Sequence, residues 1–77
     1  MPFDCTIEEF KQRTAEFLKA APTCDADSLD NGWKALGLSY LNLIESSPAD
    51  MVIAASYLKF ASVRYINRDF ELSRLTA

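Results

Sequence analysis

The sequence predicts an all-α protein, a compact bundle of three antiparallel helices over about residues 6–21, 28–45 and 48–67 with a short C-terminal helical tail. Three observations carry that expectation. Apolar residues recur at intervals of three and four in each segment, which gathers them on one side of a helix. The breaks between segments hold Pro22 and Pro48 beside good capping residues. No segment alternates apolar and polar residues, and the one Asn-Gly pair, Asn31-Gly32, lacks the flanking alternation of a hairpin. The short connections make neighbouring helices antiparallel.

In the first helix Ile7, Phe10, Phe17, Leu18 and Ala21 form the apolar stripe. Thr6 and Glu9 have the spacing of a capping box, in which each side chain satisfies a backbone N–H left free by the first turn. Pro22 stops the helix, because the residue before a proline is pushed out of the helical region.

The second helix takes Asp25 or Ser28 as its N-cap, with Asp27 and Asp30 near the positive end of the helix dipole. Leu29, Trp33, Leu36, Tyr40 and Leu43 make the stripe, and Leu38, Leu41 and Ile44 widen it. Gly32 weakens the first turn, so that the start could slip to about residue 32.

Ser47-Pro48-Ala49-Asp50 marks the third start, with Ser47 as N-cap and Pro48 at the first helical position. Met51, Val52, Ile53, Ala54, Ala55, Leu58, Phe60, Ala61, Val63, Tyr65 and Ile66 leave only a narrow polar strip at Ser56, Lys59 and Ser62. This helix is therefore expected between the other two, with apolar surface left over that two helices cannot cover. Asn67-Arg68-Asp69 is a candidate interruption, and Phe70, Leu72 and Leu75 supply the tail.

Composition excludes much chemistry. With 77 residues, 49% apolar and 25% charged, the chain fits one small globular domain, residues 1–77. A core of that size yields roughly 3–5 kcal/mol of net stability, so self-association or a partner is expected. There is no histidine, so a Ser-His-Asp triad, a Cys-His pair and a histidine zinc site cannot be built within one chain. Cys5 and Cys24 have no C-x-x-C spacing, and a helix of about 24 Å between them exceeds the ~7 Å span of a disulfide. They are expected as reduced thiols in a cytoplasmic protein. The start Met-Pro-Phe-Asp-Cys-Thr has no basic region, and Lys59 and Arg64 interrupt the longest apolar zone, so neither a targeting nor a membrane segment is expected.

Net charge is −3, but unevenly placed: residues 1–50 carry nine acids and four bases, residues 51–77 two acids and four bases. That balance disfavours nonspecific nucleic-acid binding, which needs clustered cations.

Trp33, Leu36, Gly37 and Tyr40 spell W-x2-L-G-x2-Y, which resembles the first-helix signature of a tetratricopeptide repeat. The resemblance covers roughly residues 30–62, one copy, with Ala54, Leu58 and Ala61 standing about five residues beyond the place of the next block. It implies a packed helix pair in which Gly37 admits a neighbouring helix, and an adaptor or chaperone subunit as the function.

Asp25, Asp27 and Asp30 do not complete a calcium loop, since Leu29, Asp30 and Leu36 stand where an oxygen ligand, a glycine and a glutamate are needed. Glu8-Glu9 lies in a first turn, where acids stabilise a helix anyway. Ser46, Ser47 and Cys24 lack a base to activate them. No catalytic residue, metal ligand, cofactor or small-molecule substrate is assigned.

The informative region is the third helix, where Tyr57, Phe60 and Tyr65 interleave with Arg64 and Arg68 at spacings mostly of three, four and seven. Tyrosine and arginine concentrate at interface hot spots, and these five are the expected protein-contact residues. The sequence thus points to a small non-enzymatic module that binds and modulates or inhibits a larger protein, as phage- or plasmid-type accessory proteins do, or pairs with a second copy as a homodimer. Besides the adaptor alternative, a nucleic-acid-associated regulator is the outsider.

Overall fold

The computed structural model describes residues 4–76; Met1–Phe3, on which the reading of the N-terminus partly rests, lie outside the described residues. Three helices follow in order: α1 (Ile7–Ala20), α2 (Ala26–Ser46) and α3 (Met51–Thr76), joined by 3-10 turns at Ala21–Thr23 and Pro48–Asp50. Among the described residues there is no strand, and no helix is long and apolar enough to cross a membrane. The expected three-helix all-α bundle is the observed fold.

The N-termini follow the local chemistry. Thr6 and Glu9 close a full capping box: the Glu9 N–H donates to Thr6 Oγ1 at 3.2 Å and the Thr6 N–H to Glu9 Oε1 at 3.0 Å. Asp25 caps α2 by accepting from the Ser28 N–H at 2.8 Å, so the helix begins at Ala26 and does not slip to Gly32. Both carboxyls are held below their ordinary values by these backbone hydrogen bonds.

The third start differs from expectation. Ser47 makes no side-chain cap; Pro48–Asp50 instead form a 3-10 turn that runs straight into α3 at Met51. Nor does α3 break at Asn67-Arg68-Asp69. It runs unbroken for 26 residues, and what was expected as a tail is its last turns. Arg68 supplies the reason, since its guanidinium is tied to the α1–α2 connection and holds this stretch against the bundle.

Phe10, Phe17, Ala21, Leu29, Leu36, Leu43, Ala54 and Ala61 form the buried core. Two polar residues join it. Thr14 donates to the Phe10 carbonyl at 2.9 Å, and Ser39 accepts from Arg13 Nη1 at 2.8 Å, so neither is buried unsatisfied. Leu38 and Leu41, expected to widen the α2 stripe, face outward instead.

The third helix is also corrected. It packs on both neighbours, but its fully buried residues are alanines, Ala54 and Ala61, with Tyr57, Leu58, Tyr65 and Leu72 beside them. It is one layer laid across the α1–α2 hairpin, and its other side is open.

The glycines exchange roles as well. A Cβ on Gly37 would meet nothing within 4 Å, whereas one on Gly32 would lie 3.1 and 3.2 Å from the Phe17 ring. Close approach occurs at Gly32, and Gly37 carries only the entropic cost of glycine in a helix. Gly37→Ala is therefore expected to stabilise the fold by about 0.5–1 kcal/mol, a rise of several degrees in Tm for a domain this size. The same change at Gly32 gains less or destabilises, and thermal melts of the two variants compare them directly.

Candidate functional site

The five residues singled out on α3 divide between its two sides. On the inner side, Tyr65 stacks on Trp33 with ring centroids 5.2 Å apart and an interplanar angle of 23°. Its hydroxyl donates to Asp30 Oδ1 at 2.9 Å. Trp33 in turn meets Phe17 at 6.3 Å, so one aromatic ladder crosses all three helices. Arg68 donates from Nε and Nη2 to the Cys24 carbonyl at 3.0 and 2.8 Å, and its Nη1 pairs with Glu71 at 3.2 Å. Tyr57 is half-buried beneath Lys11, whose Nζ stands 5.9 Å from the ring centroid. These three side chains fasten α3 to the hairpin.

Phe60 and Arg64 face the other way. With Val63 and Asn67 of α3 and Leu18 of α1 they line a shallow depression of about 530 Å³. The depression belongs to a larger feature. Eight of the ten exposed large apolar residues among those described lie on α3, and Val52, Phe60, Val63, Ile66 and Phe70 fall on one stripe at helical spacing. Each is at least half exposed. The sequence predicts leftover apolar surface on this helix and singles out Phe60, but does not say which side of the helix carries it. The signal that could have found it is the pair of buried alanines, because a helix with Ala54 and Ala61 on one side and five large residues on the other has two distinct faces.

The remaining candidates have structural occupations. Asp25 caps α2 and Asp30 accepts the Tyr65 proton in a hydrogen bond. Cys24 Sγ lies 3.3 Å from the Ala21 carbonyl and Cys5 Sγ 3.8 Å from the Ser39 carbonyl, and burial raises the Cys5 pKa. Among the described residues no three His, Cys, Asp or Glu side chains come together as a metal site. A second groove of about 540 Å³ runs between α1 and α2, floored by Ala21, Gly32, Ala35 and Leu36.

Comparison with protein-family models, with curated proteins and with solved structures gives no match. The tetratricopeptide resemblance is thus confined to its four residues, of which Trp33, Leu36 and Tyr40 pack inward and Gly37 makes no close approach.

The two arginines should separate cleanly. Arg68→Ala removes a charge-assisted double hydrogen bond and is expected to cost about 1.5–3 kcal/mol of stability; Arg64→Ala, on the surface, should leave the denaturation midpoint nearly unchanged. Tyr65 adds a pH dependence. Its pKa is raised above the ordinary 10.0, first by the hydrogen bond to Asp30 and then by burial and the nearby carboxylates. Its contribution is complete below pH 10 and is lost as pH rises through the raised value. Wild-type protein should lose stability on that limb, followed by Trp33 fluorescence, while Tyr65→Phe is less stable at neutral pH and lacks this part of the alkaline loss.

Proposed function

We propose that the chain is a non-catalytic protein-interaction module that modulates a larger protein by docking the outward face of α3 on it. The observation that supports this is the stripe Val52, Phe60, Val63, Ile66 and Phe70, turned to solvent on a helix whose opposite side is firmly packed. Soluble monomers seldom expose a continuous apolar patch beyond about 300–600 Å² without a use for it. Phe60 is the largest side chain near the middle of the stripe, and Arg64 stands beside it with its guanidinium at the rim, the arrangement of an aromatic anchor flanked by an orienting charge.

The apolar stripe supplies contact area and the cations beside it supply orientation. Lys59, Arg64 and Arg74 are all exposed on the same helix, so a partner surface with scattered acids around an apolar groove matches it best. Tyr57, Tyr65 and Arg68 act indirectly, by holding α3 so that this face is presented as one rigid strip.

Immobilised protein incubated with lysate of the cells that make it should retain a protein partner, and Phe60→Asp should weaken that capture by roughly 30-fold, the equivalent of a hot spot of about 2 kcal/mol. Helical circular dichroism should be unchanged, because Phe60 is 67% exposed. Capture indifferent to Phe60→Asp and Val63→Asp would remove the assignment.

A further inference from the structure

The outward face of α3 has an internal symmetry that identifies an occupant. Measured from Val63, Phe60 and Ile66 lie three residues to either side, Ser56 and Phe70 seven, and Val52 and Arg74 eleven. These offsets all return to the same side of a helix. Resting on the reading of this face as a contact surface, we propose that in the free protein it pairs with the same face of a second copy, the two α3 helices antiparallel about a twofold axis at Val63.

The pairing is complementary in size. Phe60 of each copy meets Ile66 of the other, the large Phe70 lies over the small Ser56, and Val52 lies along the aliphatic stem of Arg74. Charge favours the antiparallel sense along most of the stripe. Lys59 falls level with Asn67 and Arg74 with Val52, and only the two Arg64, at the exposed rim beside the axis, stand near each other. A parallel pairing in register would instead set Lys59 and Arg74 each against its own copy. A twofold contact of one patch with itself is the commonest way for identical chains to associate, and antiparallel α3 helices also oppose their dipoles.

The area agrees. The stripe from Val52 to Phe70 is about 27 Å long at 1.5 Å per residue. Its five apolar side chains contribute on the order of 100 Å² each, and the flanking Ser56, Lys59, Arg64, Asn67 and Arg74 bring the contact toward the ~800 Å² per partner of a stable interface. The single chain also has surface to spare. Its accessible area is 5289 Å², against roughly 4,700 Å² expected for a monomer of its mass, and its radius of gyration is 12.9 Å, against about 11.5 Å for a globule of this length. One face cannot hold two occupants, so a larger partner must displace the second copy.

Light scattering across micromolar to near-millimolar protein should give a mass approaching twice 8.6 kDa, and Val63→Asp should return it to that of one chain. Val63→Cys, in a background with Cys5 and Cys24 changed to Ser, should form a disulfide-linked dimer on mild oxidation, since the axis brings each Val63 against itself. Glu45→Cys on the outer side of α2 should not. A single-chain mass at every concentration without Val63→Cys cross-linking overturns the self-pairing; if partner capture is still lost in Phe60→Asp, the contact-face reading survives that result. A doubled mass that Val63→Asp leaves intact, or that Val63→Cys fails to cross-link, equally overturns the antiparallel pairing.

Discussion

The arrangement of the three helices depends on the contact between the Phe17 ring and the backbone of α2 at Gly32. A methyl group at that position would stand 3.1 Å from the ring, closer than an unstrained carbon contact. With no side chain there, α1 settles against α2 and Phe17 reaches Trp33, the next residue along. Trp33 then offers its remaining face to Tyr65 of α3. The ladder of rings sets where α3 sits, and Arg68, grasping the Cys24 carbonyl just ahead of the α2 N-cap, sets its position along the axis. A side chain at Gly32 would ask the Phe17 ring, the first member of that chain of contacts, to give way by a few tenths of an ångström.

This explains why α3 is built with its small residues inside. Phe10, Phe17, Trp33 and Tyr40 of the α1–α2 hairpin already pack at the core, and along the line of closest approach α3 offers alanines, with the larger Tyr57, Leu58, Tyr65 and Leu72 packed to either side. Ala54 and Ala61 fill that line completely. Val63 and Phe70 point away because they lie on the opposite side of the helix from Ala54, and Phe60 lies on the flank toward Leu18. The exposed stripe is thus a geometrical consequence of the inner face, together with a sequence that is apolar on both.

The starts of α1 and α2 were legible because they are local. Thr6, Glu9 and Asp25 act on backbone groups within three residues; Pro22 acts otherwise than expected, since Ala21 before it keeps a helical conformation and the chain continues as a 3-10 turn to Thr23, leaving the helical region only at Cys24. Face assignment on α3 was not legible by the same means. When apolar residues occupy most of a helix circumference, periodicity no longer says which side is inside; the shape of the other two helices decides. Thr14 and Ser39 were missed for a related reason, since a polar residue enters a core when its hydrogen bond is met, and Ser39 is met by Arg13, 26 residues away in the chain. Arg68 likewise looked identical to Arg64 in sequence. Only the carbonyl of Cys24, 44 residues distant, distinguishes them.

The uneven charge takes a more specific meaning in this setting. Much of the acidic excess of the first 50 residues is committed to helix starts: Glu8 and Glu9 stand in the first turn of α1, Asp25 caps α2, and Asp27 follows it. Asp30 is engaged by Tyr65. These acids stabilise the fold where they stand. On α3, by contrast, Arg68 is used internally while Lys59, Arg64 and Arg74 remain exposed among largely exposed apolar side chains, with the Arg74 guanidinium 5.9 Å from the Phe70 ring centroid. Charges at the rim of an apolar strip act mainly on the direction and rate of approach, while the desolvated centre supplies the holding energy. The division of labour along one helix, with tyrosines and an arginine fixing the inner side and aromatic, aliphatic and cationic residues arrayed on the outer, gives α3 two chemically distinct faces, and it is on the outer one that the proposed contact rests.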